Sequence, residues 1–353
     1  MPHSDTTSRE ERPTRIKDIA KSLSLSTATV CRAMNNPSSV HQATRQRVLD
    51  AAARLNYVTD RSAKSLRTGR HDCLTAIIPY LDNPIYTLHA DEARRVAEQH
   101  GYALNYHWGK SLTREGILRV LSSGTDGIIL FGFHANSIEC IEAAQKRNIP
   151  VLVLRWGDIA LPADTPCTLD IDLAFGSQQA IEHLLELGHR RIGLLGISED
   201  EHPASSHAAR HRGITQAIRN AGLSTESLEY LPAGERGYEA SYQAMTQRIA
   251  SGKPLPTAIQ ASNDVRAVGA LAALLDQGVR VPEDVSLIGF DNVELSQFVR
   301  PGLTTVSQSS LNIGTQAAEM MLQMIQSPRE VLTGQLVPKL VVRQSTGPAP
   351  AAG

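Results

Sequence analysis

Thr27, Ala28, Thr29, Arg32 and Asn35 fall on one side of a helical spacing whose other side is Val30, Ala33 and Met34. The outward set offers hydroxyls, a guanidinium, a carboxamide and a bare methyl group on a narrow polar surface. Hydroxyls and guanidinium groups bond base edges and phosphates, and an alanine or threonine methyl touches the methyl of thymine, so the surface suits a DNA major groove. An ordinary helical bundle with a solvated polar face satisfies the same spacing, and at this level both readings stand.

Three short helical patterns place that surface. Ile16, Ile19, Ala20 and Leu23 recur at i, i+3, i+4 and i+7 and give a first helix one apolar face. The run Ser22-Leu23-Ser24-Leu25-Ser26 breaks the pattern, and Ser26 is placed to cap a second helix from Thr27 to Met34, which Pro37 stops. A third helix, from about Ala43 to Leu55, is expected to turn Val48, Leu49, Ala52 and Leu55 inward and close a miniature core. Such an arrangement is a helix-turn-helix unit. The charge distribution agrees with a polyanion partner. The chain holds 35 Lys and Arg against 36 Asp and Glu, but residues 1 to 70 carry 13 basic and six acidic side chains, a charge of +7, which leaves −8 on the remainder.

The stretches Ile16-Lys17-Asp18-Ile19-Ala20, Ser26-Thr27-Ala28-Thr29-Val30, Arg32-Ala33-Met34-Asn35 and Val40-His41-Gln42-Ala43-Thr44-Arg45-Gln46-Arg47-Val48, with the exit Leu55-Asn56-Tyr57, together resemble the lactose-repressor (LacI/GalR) regulators. The resemblance implies that Thr27, Ala28 and Arg32 face base edges and that Thr29, Asn35 and Thr44 hold phosphates. Four positions depart from the family pattern: Arg15 stands for a capping Thr, Ser24 for a turn Gly, Cys31 for a Ser and His41 for a capping Ser. Ser24 is therefore expected at a positive φ, which a residue with a Cβ adopts at some cost. Asp60 to Arg70 is short and basic and resembles the family's hinge helix, with its core as Ala63-Lys64-Ser65-Leu66. The resemblance implies that the paired hinge helices of a dimer enter the minor groove, Ala63 and Lys64 contacting DNA and Leu66 wedging between central base pairs.

After residue 70 strand-like apolar runs alternate with amphipathic helices, the pattern of a doubly wound parallel sheet. Strands are expected at Leu74 to Pro79, Gly127 to Phe131, Val151 to Leu154, Arg191 to Gly196, Ala258 to Ala261 and Val285 to Phe290, with a final strand around Gln335 to Val342. Gly188-His189-Arg190-Arg191-Ile192-Gly193, Ser262-Asn263-Asp264 and Asp284-Val285-Ser286-Leu287-Ile288-Gly289-Phe290-Asp291 resemble the periplasmic-binding-protein-like core of the same family. The expected organisation is an all-α head at 14–58, a hinge at 59–70 and an α/β effector and dimerisation domain of two doubly wound subdomains at 71–345. The chain would cross between subdomains near 170, 308 and 335, with flexible tails at 1–13 and 346–353. Ligand would lie at the carboxyl ends of both sheets. Position by position, the resemblance implies that Ser206, Arg210, Asn263, Asp291 and Gln308 bond an effector and that Tyr86 supplies an aromatic wall. Arg155 stands where the family often has a sugar-binding acid, and Arg236 aligns near a usual ligand-stacking aromatic. Three guanidinium groups around one cleft would suit an anionic sugar derivative such as a sugar acid or sugar phosphate. Pairing of Arg155 with Asp158, Asp170 or Asp172 would instead remove it from the ligand.

Other classes find little support. The sequence has no nucleotide-loop, zincin or nucleophile-elbow motif. His202, His207 and His211 fall short of a metal site, so neither metal nor cofactor is expected, and an α/β enzyme is an alternative without a motif. A sugar-binding protein with no transcriptional role is the other alternative, but the basic head and the lack of an export signal speak against it. With no apolar run of roughly 18 residues, a cytoplasmic regulator that does not enter membranes is expected. Its partners would be a pseudo-palindromic double-stranded operator, a small-molecule effector and a second copy of itself. No leucine heptad follows the final strand, which favours a homodimer over a tetramer.

Overall fold

A computed structural model of the chain describes residues 14–35, 39–57, 65, 68–108, 113–132, 136–156, 161, 167–197, 206–231, 233, 237–327 and 330–351. Two compact units emerge, Met1–Gly69 and Arg70–Gly353.

In the first unit α1 (Ile16–Leu23), α2 (Thr27–Asn35) and α3 (Gln42–Arg54) close on Ile19, Ala20, Val30, Ala33, Val48, Ala51 and Ala52. The inner stripe of α3 is Val48, Ala51, Ala52 and Leu55, a strict i, i+3, i+4, i+7 run. Leu49, expected inward, lies one position past that stripe and is half-buried outside the cluster. Three of the four departures from the family pattern, at Arg15, Ser24 and His41, are absorbed locally. Asp18 accepts the Arg15 backbone N–H at 2.9 Å, Ser26 Oγ accepts the Thr29 N–H at 3.0 Å, and His41 Nδ1 accepts the Ala43 N–H at 3.4 Å. Ser24 closes α1 at φ 54° and ψ 40° in the left-handed region, as its place in the turn requires. Thr14 Oγ1 donates to the Leu55 carbonyl at 2.7 Å and ties the start of the unit to its end.

The second unit runs β1 (Cys73–Ile78), α4 (Pro84–Gln99), β2 (Ala103–Trp108), α5 (Arg114–Ser122), β3 (Gly127–Leu130), α6 (Ser137–Gln145), β4 (Val151–Arg155) and β5 (Cys167–Ile171). It continues as α7 (Leu173–Glu186), β6 (Ile192–Leu195), α8 (Ser206–Asn220), β7 (Leu228–Leu231), α9 (Tyr238–Ala250), β8 (Ala258–Ala261), α10 (Asp264–Asp276), β9 (Ser286–Asp291), β10 (Thr304–Ser307), α11 (Ile313–Gln326), β11 (Leu332–Leu336) and β12 (Lys339–Val341). One sheet has the order β11-β5-β4-β3-β1-β2 and the other β12-β10-β9-β8-β6-β7. Their pairings are parallel except for β10 with β12. Helices cover both faces of such sheets, so central strands read as unbroken apolar runs, and every residue of β1 and of β9 is buried.

The chain passes from the first sheet to the second after Ile171, returns after Ser307 and crosses a third time between Leu336 and Lys339. The single final strand expected at 335–342 is thus two strands, one in each sheet, parted at Val337-Pro338, where proline has no N–H for a ladder. The run beyond 345, expected as a flexible tail, is pinned as far as Ala349. Gly347 N–H donates to Ser286 Oγ at 3.1 Å and Ala349 N–H to the Leu187 carbonyl at 2.8 Å, while the Gly347 carbonyl lies 3.0 Å from Nε2 of the fully buried His189. Tail backbone therefore satisfies polar groups that the sheet buries. Among the described residues three helix pairs pack backbone to backbone through glycine, one of them where a Cβ on Gly269 of α10 would meet the Tyr238 carbonyl of α9. A Cβ on Gly213 of α8 would collide with the Ala174 carbonyl of α7, and one on Gly314 of α11 with the His89 carbonyl of α4.

Ser24→Gly relieves a left-handed residue of its Cβ and should stabilise the helical unit by about 1 kcal/mol. Slower hydrogen exchange at the α1 and α3 amides of the full chain is the expected readout, and unchanged or faster exchange would show that Ser24 carries no strain.

Candidate functional site

On α2, Thr27, Ala28 and Arg32 are exposed, while Thr29 of that helix and Thr44 of α3 are half-buried. The Ser26 and Thr29 hydroxyls are 2.8 Å apart, and Arg32 lies back along its helix with Nε 3.4 Å from the Ala28 carbonyl. Asn35 ends α2. Ala63, Lys64 and Leu66 lie outside the described residues, as does Arg236.

In the second unit a cleft gathers residues that follow strand ends, where α/β sheets bind ligands. Tyr80, Asn83 and Tyr86 come after β1, Trp156 after β4, Ser206 and Arg210 from the head of α8, Ser262, Asn263 and Arg266 after β8, Asp291 from the end of β9 and Gln308 after β10. Helix starts fix several of them. Asn83 Oδ1 caps α4 by accepting the Ile85 N–H at 3.1 Å, with Pro84 in the first turn, and Asn263 Oδ1 caps α10 by accepting the Arg266 N–H at 2.9 Å. Tyr86, Ser206, Arg210, Asn263, Asp291 and Gln308 are therefore brought together.

Arg155 is not in the lining. Parallel register sets it directly beside Asp170, and the carboxylate takes it bidentately, Nε to Oδ1 and Nη2 to Oδ2 both at 2.5 Å. Expected guanidinium groups around the ligand thus reduce, among the described residues, to Arg210, joined by Arg266. Of the three histidines, His207 lines the cleft, His211 Nε2 meets the Tyr230 hydroxyl at 2.7 Å and His202 lies outside the described residues. Among the described residues no group of three His, Cys, Asp or Glu side chains is placed to hold a metal ion.

Asp291 is 2% exposed and occupies the centre. Its Oδ2 accepts from Asn83 Nδ2 at 2.8 Å and its Oδ1 from Gln308 Nε2 at 2.5 Å. Arg210, also buried, sets its guanidinium 4.5 Å from the Phe290 ring centroid and donates to the Ser206 carbonyl at 3.1 Å. Burial pushes the Asp291 carboxyl above the usual range, while Arg210, the two amides and His89 pull it back. Tyr86 stands with its ring centroid 5.7 Å from Trp156 and 6.0 Å from Tyr80, an aromatic wall. Trp156 fills the space over Gly132, where a Cβ would strike its ring, and its buried Nε1 has no hydrogen-bond partner among the described residues. Beneath the floor, Asp264 is fully buried and accepts the Val293 N–H at 2.8 Å and the Thr305 hydroxyl at 2.5 Å. Burial, and then the nearby Asp291, raise its carboxyl well above the usual range. Asn83, His89, Asp264 and Arg266 were not singled out from the sequence as functional. An Asn-Pro pair just after an apolar strand was the available signal for the first.

Residues 15–60 match the bacterial regulatory proteins of the lacI family, and residues 181–346 match the periplasmic binding protein-like domain. Over 346 residues the chain is 32% identical to the HTH-type transcriptional repressor CytR of Escherichia coli (strain K12), an alignment that covers 97% of this chain and 99% of the relative. The chain belongs to the LacI family. It is a transcriptional repressor of that family with a ligand-binding domain, and such relatives are repressors rather than enzymes. The HTH-type transcriptional repressor PurR of Haemophilus influenzae (strain PittEE) is 30% identical over 342 residues, 94% of this chain and 98% of the relative. Among LacI-family structures, the lac repressor dimer bound to operator and the anti-inducer ONPF superposes with a TM-score of 0.80 at 25% identity, covering 95% of this chain and all of that one. A regulator from Enterococcus faecium with bound ribose gives 0.69 at 25% identity, covering 78% of this chain and 99% of that one. No helix of the described residues is long and apolar enough to cross a membrane.

The Asp264 carboxyl, raised in the fold above its unfolded value near 3.9, stabilises the fold fully below that value and loses its contribution as pH rises through the folded one. Asp264→Asn keeps an acceptor for Val293 and removes the charge. In urea unfolding, the stability of the variant relative to the parent should be most favourable near pH 8 and decline steadily towards pH 4. A difference that ignores pH would show that Asp264 does not titrate above the ordinary range.

Proposed function

We propose that the chain is a homodimeric, effector-controlled repressor that reads a pseudo-palindromic DNA duplex with α2 of each protomer and takes a small polyhydroxylated ring compound, of sugar type, in the cleft. The observation that carries the effector class is Asp291, a buried carboxylate with an acceptor surface for hydroxyls, set beside the Arg210 guanidinium and an aromatic wall of Tyr80, Tyr86 and Trp156. Carboxylate and guanidinium supply acceptor and donor for vicinal hydroxyls, and aromatic faces pack against the apolar face of a sugar ring. Binding of ribose by the Enterococcus faecium relative supports this class. An acidic sugar is the second reading, favoured by Arg210 and Arg266 in the lining, but without Arg155 it rests on fewer cations than the sequence suggested.

For DNA, Thr27, Ala28 and Arg32 face base edges and Thr29, Asn35 and Thr44 face phosphates, while Ala63, Lys64 and Leu66 belong to a hinge that enters the minor groove. The operator and anti-inducer complex of the lac repressor dimer supports both the partner and the assembly. Effector binding acts by changing the relative setting of the two sheets and so of the paired heads, a coupling free energy between two sites.

Thermal shift and calorimetry with D-ribose, D-glucose, D-gluconate and D-ribose 5-phosphate test the effector class. A neutral sugar should stabilise the protein, by about 2.7 kcal/mol at a hundred times its Kd, and Asp291→Ala should abolish the shift. Binding of the acid or phosphate alone would replace this reading with the anionic one. For DNA, selection from a random duplex pool should enrich one sequence with two half-sites. Arg32→Ala should weaken binding to it by about 1–3 kcal/mol and relax the preference at one base position of each half-site. A uniform loss at every position would make Arg32 a phosphate contact instead.

A further inference from the structure

From α4, His89 reaches the cleft lining although it is only 3% exposed. Its ring stacks on Phe131, just past β3, with centroids 6.4 Å apart and planes 10° from parallel. Nδ1 is buried with no hydrogen-bond partner among the described residues and lies 3.6 Å from Glu92 Oε2, three residues on. The same Glu92 oxygen accepts the N–H of Gly314 at 2.9 Å, in the first turn of α11. Both ends of the second crossover are therefore fastened beside the cleft, Gln308 to Asp291 where it leaves β10 and Gly314 to Glu92 where it enters α11. The charged groups that face the imidazole are Glu92 from its own helix and Asp291 from β9, with Arg210 of α8 beside the latter.

A buried ring nitrogen without a partner calls for an explanation, and the Glu92 oxygen that Nδ1 faces just beyond hydrogen-bond reach supplies one. Glu92 Oε2, which already accepts the Gly314 N–H, faces Nδ1 as an acceptor, so a hydrogen placed on Nδ1 leaves Nε2 as the acceptor of the ring. At 3.6 Å the pair is beyond hydrogen-bond length, so a displacement of the imidazole towards Glu92 would close it.

Resting on the sugar-type reading above, we propose that His89 is an effector-specificity residue whose Nε2 accepts a ligand hydroxyl, and that Glu92 is a positioning residue that fixes the ring and passes its displacement to the second crossover at Gly314. The imidazole turns what would be an apolar wall into one that selects a hydroxyl at a defined place. Glu92 makes that selection felt by the segment that also holds Asp291.

Calorimetry on the full chain with D-ribose, D-glucose, D-gluconate and D-ribose 5-phosphate tests the pair. For whichever of the four the parent binds most tightly, His89→Leu should weaken binding about tenfold or more, while His89→Gln, which keeps an acceptor, should stay within about threefold. Glu92→Gln should weaken binding less than His89→Leu and move the proton of His89. That proton is read without any ligand in ¹⁵N-histidine spectra assigned by difference from His89→Leu. On Nδ1 in the parent, and redistributed towards Nε2 in Glu92→Gln, it supports the pairing. Parent-like binding by His89→Leu, or a proton on Nε2 in the parent, overturns the proposal. If none of the four compounds binds the parent while the proton sits on Nδ1, the sugar reading fails and the pairing is supported.

Discussion

Asp291 is a carboxylate removed from water, and a charge so placed must be met by donors already fixed in position, or it costs several kcal/mol. One of its donors, the Asn83 amide, comes from the half of the domain built on the first sheet, and the other, the Gln308 amide, stands at the start of the second crossover. Leaving either bond unmade would expose an uncompensated acceptor worth about 1–3 kcal/mol, more while it is charged. The relative placement of the two halves is thereby written into the hydrogen bonds of a single side chain. A hydroxylated ligand that bonds the same carboxylate competes with, or adds to, the amides of both halves, and it can only shift their setting by that difference.

The backbone around this carboxylate is held at a cost of its own. Asp291 adopts φ 110° and Asn292 φ 57°, conformations that non-glycine residues rarely hold and that cost of order 1–3 kcal/mol each. Asn292 is over-determined in return. Its amide donates to the hydroxyls of Ser307 and Ser309 at 3.2 and 3.3 Å, and its carbonyl accepts from Arg343 Nη2 at 2.7 Å, while Arg343 Nη1 donates to the Leu303 carbonyl at 2.7 Å. Arg343 follows β12, so the third crossing secures the bend that the second crossing bonds. Asp264 completes the arrangement from below, with Gly289 leaving the room its carboxylate needs and Thr305 donating to it. Strain, buried charge and two interdomain crossings thus converge within a few residues of the ligand's floor.

What could be read from the amino-acid order follows from which signals are local. The central strands β1, β3, β4, β6, β8 and β9 were legible because burial on both faces demands unbroken apolar runs. β2 and β7 were not, since edge strands with one exposed flank carry Asn105, Tyr106 and Tyr230 in place of a clear pattern. β10 was missed for the opposite reason. Thr304, Thr305 and Ser307 are buried but polar, and their hydroxyls are spent on Arg343, Asp264 and Asn292, partners far away in the chain. In the cleft, residues tied to the family motifs at Asn263 and Asp291 were legible. Asn83, His89 and Arg266 gain meaning only when the strand ends meet, and the polar tail only when His189 and Ser286 are seen to need it.

Two arginines with equal promise in the sequence part company for a reason that only register supplies. β4 and β5 run parallel with Arg155 opposite Asp170, so a carboxylate lies within reach of the guanidinium before any ligand does, and two short hydrogen bonds satisfy its fork. Arg210 comes instead from the head of α8. Its guanidinium lies over the Phe290 ring, one residue from Asp291, where the aromatic face offsets part of the lost hydration and the carboxylate supplies counter-charge. The first arrangement withdraws a cation into the sheet; the second holds one at the cleft wall next to an anion. A site built around such an adjacent pair presents donor and acceptor together rather than a net positive field, and this adjacency is the physical basis on which a neutral, hydroxyl-bearing effector is proposed.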